Sequence, residues 1–253
     1  MFNFNKVKKI KITRTIPFDR EDVFPLKPGN KYIPNWYRRS PHTADFAKKH
    51  FNYDGTEKTF PEPDVERQIG ATYKRCLPMF DAMTIGYMYG LLEDVTFDEK
   101  TQTFSLTPVI QQTTHSPYES EGYVFPEDAH TKLFKWNSDR IVEFPPGYMG
   151  LIITPLHRND LPFYTLAGIV DLDRHPLPVN PPFIMKKGFS GTIKKGTPLW
   201  QLIPIKKDRW EIEHQGDSPL DSEMVDAFFE MNSLYIPKTG VYKHKVREKK
   251  EYY

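Results

Sequence analysis

Residues 144–206 read FPPGYMGLIITPLHRNDLPFYTLAGIVDLDRHPLPVNPPFIMKKGFSGTIKKGTPLWQLIPIK. Pro and Gly break this string into short apolar runs. Pro145-Pro146-Gly147 reads as a turn, 148–154 as a buried strand and 164–170 as a second strand. Residues 183–185 and 191–193 flank a Lys-Lys-Gly turn, and 199–205 closes the series. Short strands at this spacing, separated by Pro- and Gly-made turns, predict a closed or sandwiched β architecture. The expectation is one closed β unit of adjacent strands, with 168–173 running into a turn.

On the N-terminal side, Val7, Ile10, Ile12 and Ile16 alternate with lysines, which predicts an edge strand guarded by charge. Residues 19–50 are irregular and rich in Pro, Trp, Tyr and Arg, with a short helix expected over 43–51 and a turn-rich loop over 54–64. Residues 78–90 form the most apolar stretch. Residues 93–96 and 103–110 are strand-like around an Asp98-Glu99-Lys100 turn, and strands are expected again at 132–136 and 140–144. Toward the C-terminus, Ser218-Pro219 sets a helix start, with Leu220, Met224, Ala227, Phe228 and Met231 on one face. Residues 238–253 carry six Lys/Arg against two Glu and read as a charged, solvated tail. The division expected is a strand and Pro/aromatic-rich arm (1–69), a β-rich core (70–210), and a helix with a basic tail (211–253), all in one globular unit.

Composition narrows the function classes. The 253 residues include 23 Pro, which argues against a mostly helical chain because an interior Pro costs a helix about 3 kcal/mol. A single cysteine, Cys76, excludes a disulfide framework and a multi-Cys zinc site. Lys74 and Arg75 nearby could lower its thiol pKa, as a nucleophile requires, but beside an apolar run the preferred reading is a small buried hydrophobe. The net charge of +2 gives no argument for a polyanion partner. No apolar run approaches the ~20 residues of a membrane helix, and the opening MFNFNKVKKIKI lacks the apolar centre of a signal peptide, so neither membrane nor leader is expected.

Within 144–206, Pro146-Gly147-Tyr148, Ala167-Gly168-Ile169-Val170-Asp171-Leu172-Asp173 and Lys194-Lys195-Gly196-Thr197-Pro198-Leu199-Trp200-Gln201 occur in an order that resembles the dUTPase and dCTP-deaminase family. The resemblance covers about a quarter of the chain. It implies a closed dUTPase-like β-barrel or β-clip core, mainly β, with the Pro-rich arm before it and the single helix after it. It also implies a homo-oligomer, possibly a trimer, with sites between subunits. In that family the first Asp of the hairpin orients the attacking water, which places Asp171 as general base. Arg158, Asp173 and Gln201 are the ligand- or anion-contacting candidates. The sequence departs from the family at several points. Pro155-Leu156-His157-Arg158-Asn159 stands where the family has a phosphate-gripping Arg-Ser-Gly loop. Arg174 and His175 stand near the position of a base-stacking tyrosine, and only Gly216 and Gly240 follow residue 205 where a glycine-rich arm is expected. Residues 74–87, KRCLPMFDAMTIGY, extend the likeness to a group of tailed-bacteriophage proteins without assigned activity. That implies a virion or host-cytoplasm setting.

His157, Asp171, Asp173 and His175 are of metal-ligating type, but none of their spacing is diagnostic. Turn capping by Asp and surface placement of His is the preferred reading, and no metal site is assigned. Trp36-Tyr37-Arg38-Arg39 mixes aromatic and guanidinium groups. Single-strand nucleic-acid binders and protein interfaces both use that mixture. With so small a net charge the interface reading is preferred and nucleic acid is not expected. Pro-stiffened connections at 17–41 and 174–182, and aromatics in loops such as Tyr118 and Tyr123, suit association with further copies or other virion proteins. The functional expectation is therefore a non-catalytic β-rich assembly or binding protein without a cofactor. The alternative is a nucleotide-processing enzyme, a dUTP pyrophosphatase or a dCTP deaminase, using Asp171 and Mg2+.

Overall fold

The computed structural model describes residues 7–15, 25–40, 73–105, 107, 110–111, 120–214, 223, 225–226 and 246–253. The chain divides into two compact units. One comprises residues 1–32, 83–208 and 252–253; the other comprises 33–82 and 209–251.

The larger unit is built from antiparallel strands. β1 (Lys11–Arg14) pairs with β8 (Arg140–Glu143). A five-stranded sheet runs β11 (Gly168–Val170), β9 (Tyr148–Ile153), β14 (Pro198–Lys206), β3 (Tyr87–Gly90) and β2 (Leu26–Pro28). A four-stranded sheet runs β10 (Phe163–Thr165), β12 (Pro182–Lys186), β7 (Ala129–Trp136) and β6 (Ile110–Gln111). A three-stranded sheet runs β13 (Gly191–Ile193), β4 (Val95–Asp98) and β5 (Thr103–Phe104).

The fold is thus mainly β, as expected, but the described strands lie in four sheets that do not close into a barrel. The strands of 144–206 are shared among three of them. The run 164–170 is two strands, not one. β10 ends at Thr165, and the chain changes sheet through Leu166 and Ala167 before β11 begins. Thr165 makes this corner. Its hydroxyl accepts from Trp136 Nε1 (3.1 Å) and donates to the Leu199 carbonyl (2.7 Å), while its own carbonyl accepts from Thr154 Oγ1 (2.8 Å). Apolar periodicity does not register such a corner, because residues on both sides of it are apolar. Likewise β12 and β13, on either side of Lys186-Lys187-Gly188, pair with different sheets rather than with each other.

The expected strand over 103–110 is likewise not one strand, since β5 ends at Phe104 and β6 starts at Ile110 in a different sheet. β1 is an exposed edge strand with Lys11 bridged to Glu143 (2.9 Å), and β4 and β5 form a hairpin with Phe97 opposite Phe104. The turn after β11 holds Asp171–Asp173. β9 is alternately buried rather than buried throughout. At Gly150 an added Cβ would meet Leu172 Cδ1 at 2.5 Å and Leu202 Cδ1 at 2.7 Å, so both leucine ends would have to move aside in the core.

The core is aromatic. Trp136 stacks on Phe183 with ring centroids 3.6 Å apart, and Phe134, Phe163 and Phe104 surround the pair at 5.5, 6.1 and 5.8 Å from Phe183. Tyr89 stacks on Trp200 (4.9 Å) and donates its hydroxyl to the buried Asp139 (3.0 Å), whose carboxylate lies 3.3 Å from Arg140 Nε. Burial, and then the Asp139 charge, push the Tyr89 hydroxyl pKa well up.

In the second unit, α1 (Asn35–Arg39) is closed by Ser40, whose amide and hydroxyl donate to the Trp36 carbonyl at 2.9 and 2.7 Å. α2 (Leu77–Thr84) starts within this unit. Its Asp81 takes both a 2.9 Å and a 2.5 Å bond from Arg247, so the basic tail is tied down at that residue rather than wholly solvated. The Arg247 hydrogen bond is also the main reason that the Asp81 carboxyl pKa is lowered. The helix expected over 43–51, the loop over 54–64 and Tyr118 lie outside the described residues, as does most of the helix expected from Ser218 to Met231.

Candidate functional site

The turn of the string Gly168-Ile169-Val170-Asp171-Leu172-Asp173 forms a clasp at one end of the β9–β14 ladder. β14 ends at Lys206, opposite Tyr148, and the next residue, Lys207, donates its backbone N–H to the Gly147 carbonyl (2.8 Å). Its ammonium lies 2.6 Å from Asp171 and 2.7 Å from Asp173. Asp173 is almost fully covered and also accepts the Gly147 N–H (3.0 Å), whereas the Asp171 side chain is 66% exposed. Gly147 has φ +83°, a left-handed geometry that lets the Pro-Pro-Gly turn present this amide. The Lys207 hydrogen bond, with the Gly147 amide, lowers the Asp173 pKa, and bonds to Asp171 and then Asp173 raise that of Lys207. The Asp171 carbonyl accepts from Arg174 N and His175 N, both at 2.9 Å, so this Asp also starts a backbone turn.

The other candidates sit at the opposite end of the same ladder. Gln201 pairs with Ile153, five residue steps from Lys206–Tyr148, which at the usual strand rise is roughly 16 Å. Its side chain is fully buried. Oε1 accepts from Leu156 N (2.9 Å) and Nε2 donates to the Ile85 carbonyl (2.8 Å), so the amide braces the loop after β9. In that loop Arg158 N donates to the Pro155 carbonyl and Leu161 N to the Arg158 carbonyl, so these two amides are used within the loop. The Arg158 guanidinium grips both oxygens of Asp160, at 2.8 and 2.9 Å. His157 is exposed and has φ +58°.

The structure therefore brings Asp171 and Asp173 together and keeps Arg158 and Gln201 apart from them within one chain. Lys207 and Asp160, the partners that define these sites, were missed in the sequence. Asp160 stands two residues from Arg158, and Lys207 stands just past the predicted last strand, so register was the available signal. Of the interface candidates, Tyr37 is buried against Phe80 (5.8 Å) and Trp36 is half-buried beside Tyr73 (6.2 Å), while Arg38 and Arg39 are exposed. Cys76 is exposed. Among the described residues, no group of three or more His, Cys, Asp or Glu could hold a metal ion, and no helix is long and apolar enough to cross a membrane. Compared with family models, curated proteins and solved structures, the chain matches none.

Proposed function

We propose that this chain is a non-catalytic β-rich assembly or binding protein, a component of a bacteriophage virion that associates with its own copies or with other virion proteins. The observation that carries the reading is the state of the loop standing where a phosphate would be gripped. Phosphate cradles work by aiming free backbone N–H groups and an unpaired cation at the anion. Here Leu156 N is bound by Gln201, Arg158 N by Pro155, and the Arg158 guanidinium by Asp160. Leu156 N–H, Arg158 and Gln201, which stand at the phosphate-gripping end of the resemblance, are engaged in holding the fold. The viral setting rests on the likeness of 74–87 and 144–206 alone. Trp36, Arg38 and Arg39 are assigned to the contact surface.

The competing reading, a nucleotide enzyme with Asp171 as general base and Mg2+, draws on the exposure of the Asp171 carboxylate. Turnover of dUTP and dCTP with Mg2+ separates the two. The proposal expects no product from either nucleotide. Turnover that disappears in Asp171→Asn overturns it.

A further inference from the structure

Residues 209–214, Arg-Trp-Glu-Ile-Glu-His, follow β14 and belong to no strand. Trp210 is 89% exposed and Ile212 83% exposed, with exposed Glu211 and Glu213 between and after them. Apolar and acidic residues alternating with period two is the pattern of a strand covered on one face. A tryptophan and an isoleucine left this open form a surface that gains by being covered.

The larger unit carries an edge that suits such a segment. β11 ends its sheet, bonded to β9 on one side only among the described strands, and Ile169 is 63% exposed, with Leu177 61% exposed in the Pro-rich segment that follows. β1 and β2 carry features that blunt an edge, Lys11 and Arg14 in the first and Lys27-Pro28 in the second. β11, Gly-Ile-Val, has neither. The turn beyond β11 is charge-balanced, Asp171 and Asp173 against Lys207 and Arg174, so it does not repel the acidic face of 209–214.

We propose that residues 209–214 of one copy add as a strand to the β11 edge of a second copy, Trp210 and Ile212 covering Ile169 and Leu177. The inference rests on the assembly reading above and names its contact. Each copy supplies one arm and one edge, so the contact is complete only in a reciprocal pair or a closed ring.

The test uses the full chain with Cys76→Ser. One preparation carries Gly168→Cys, where an added Cβ meets nothing within 4 Å, and a second, tagged for size, carries Glu211→Cys. After mixing, a short bis-maleimide should join tagged to untagged chains. Trp210→Ser with Ile212→Ser should abolish the product while leaving the far-ultraviolet circular dichroism of the folded chain unchanged, because neither side chain packs within its own chain. A tagged chain carrying Lys100→Cys instead should give at least tenfold less product. Equal yield from Lys100→Cys, or no mixed product, overturns the contact. Light scattering on the same samples distinguishes the levels: an oligomer without the 168–211 product refutes this contact alone, and a monomer with no partner recovered from the native source refutes the assembly reading with it.

Discussion

Arg158 and Asp160 form a two-point ion pair, Nε to Oδ1 at 2.8 Å and Nη2 to Oδ2 at 2.9 Å, within a loop of only a few residues. The Arg side chain is 13% exposed and the Asp side chain 48%, so solvent screens the pair and its strength stays modest. A double-mutant cycle with Arg158→Ala and Asp160→Ala should give a coupling of about 0.5–1 kcal/mol that shrinks in 1 M salt. A coupling indistinguishable from zero at low salt would mean that the guanidinium is free for an anion after all.

Gln201 is fully buried and both ends of its amide are used. Leucine fills similar space but leaves Leu156 N–H and the Ile85 carbonyl without their partner. Gln201→Leu should destabilise the fold by about 2–4 kcal/mol, measured by urea unfolding, since each buried polar group left unmade costs about 1–3 kcal/mol. A loss under 0.5 kcal/mol would free Gln201 from the structural role assigned to it.

The Asp173–Lys207 clasp has a pH signature with two limbs. The folded Asp173 pKa is lowered, so its stabilisation is present above the unfolded value of about 3.9 and is lost as pH falls through the folded one. The folded Lys207 pKa is raised, so its share is present below about 10.4 and is lost as pH rises through the folded value. Melting temperature against pH should hold level in between and fall at both ends. Asp173→Asn should flatten the acid limb relative to the parent, and an unchanged acid limb would contradict the clasp.

Phe183 touches four other aromatic rings and is completely buried. Phe183→Ala should cost about 3–5 kcal/mol, through lost transfer energy and the cavity left beneath Trp136. Near-UV circular dichroism should lose intensity with it, because the Trp136 stack loses its partner. Retention of both stability and signal would place the core elsewhere.

Much of the strand content was legible in the sequence, because alternation and Pro/Gly turns are local. β1, β7, β8, β9 and β14 lie close to where their residues predict. What escaped is the allocation of strands to sheets. Thr165 and Leu166 turn the chain from one sheet to another, and a buried hydroxyl bridging Trp136 to Leu199 has no local pattern. The same holds at the candidate site. Asp171, Asp173, Arg158 and Gln201 could be picked out by residue type, whereas their occupation by Lys207, Asp160 and Leu156 depends on strand register. The Arg247–Asp81 pair joins residues 166 positions apart, beyond the reach of any motif.

The association state is the most direct measure of the account. Static light scattering of the purified full chain at micromolar concentration should return an integral multiple of 29.7 kDa, two or more copies, unchanged by nucleotide and Mg2+. A mass of a single chain across that range, with no partner recovered from its native source, would contradict it.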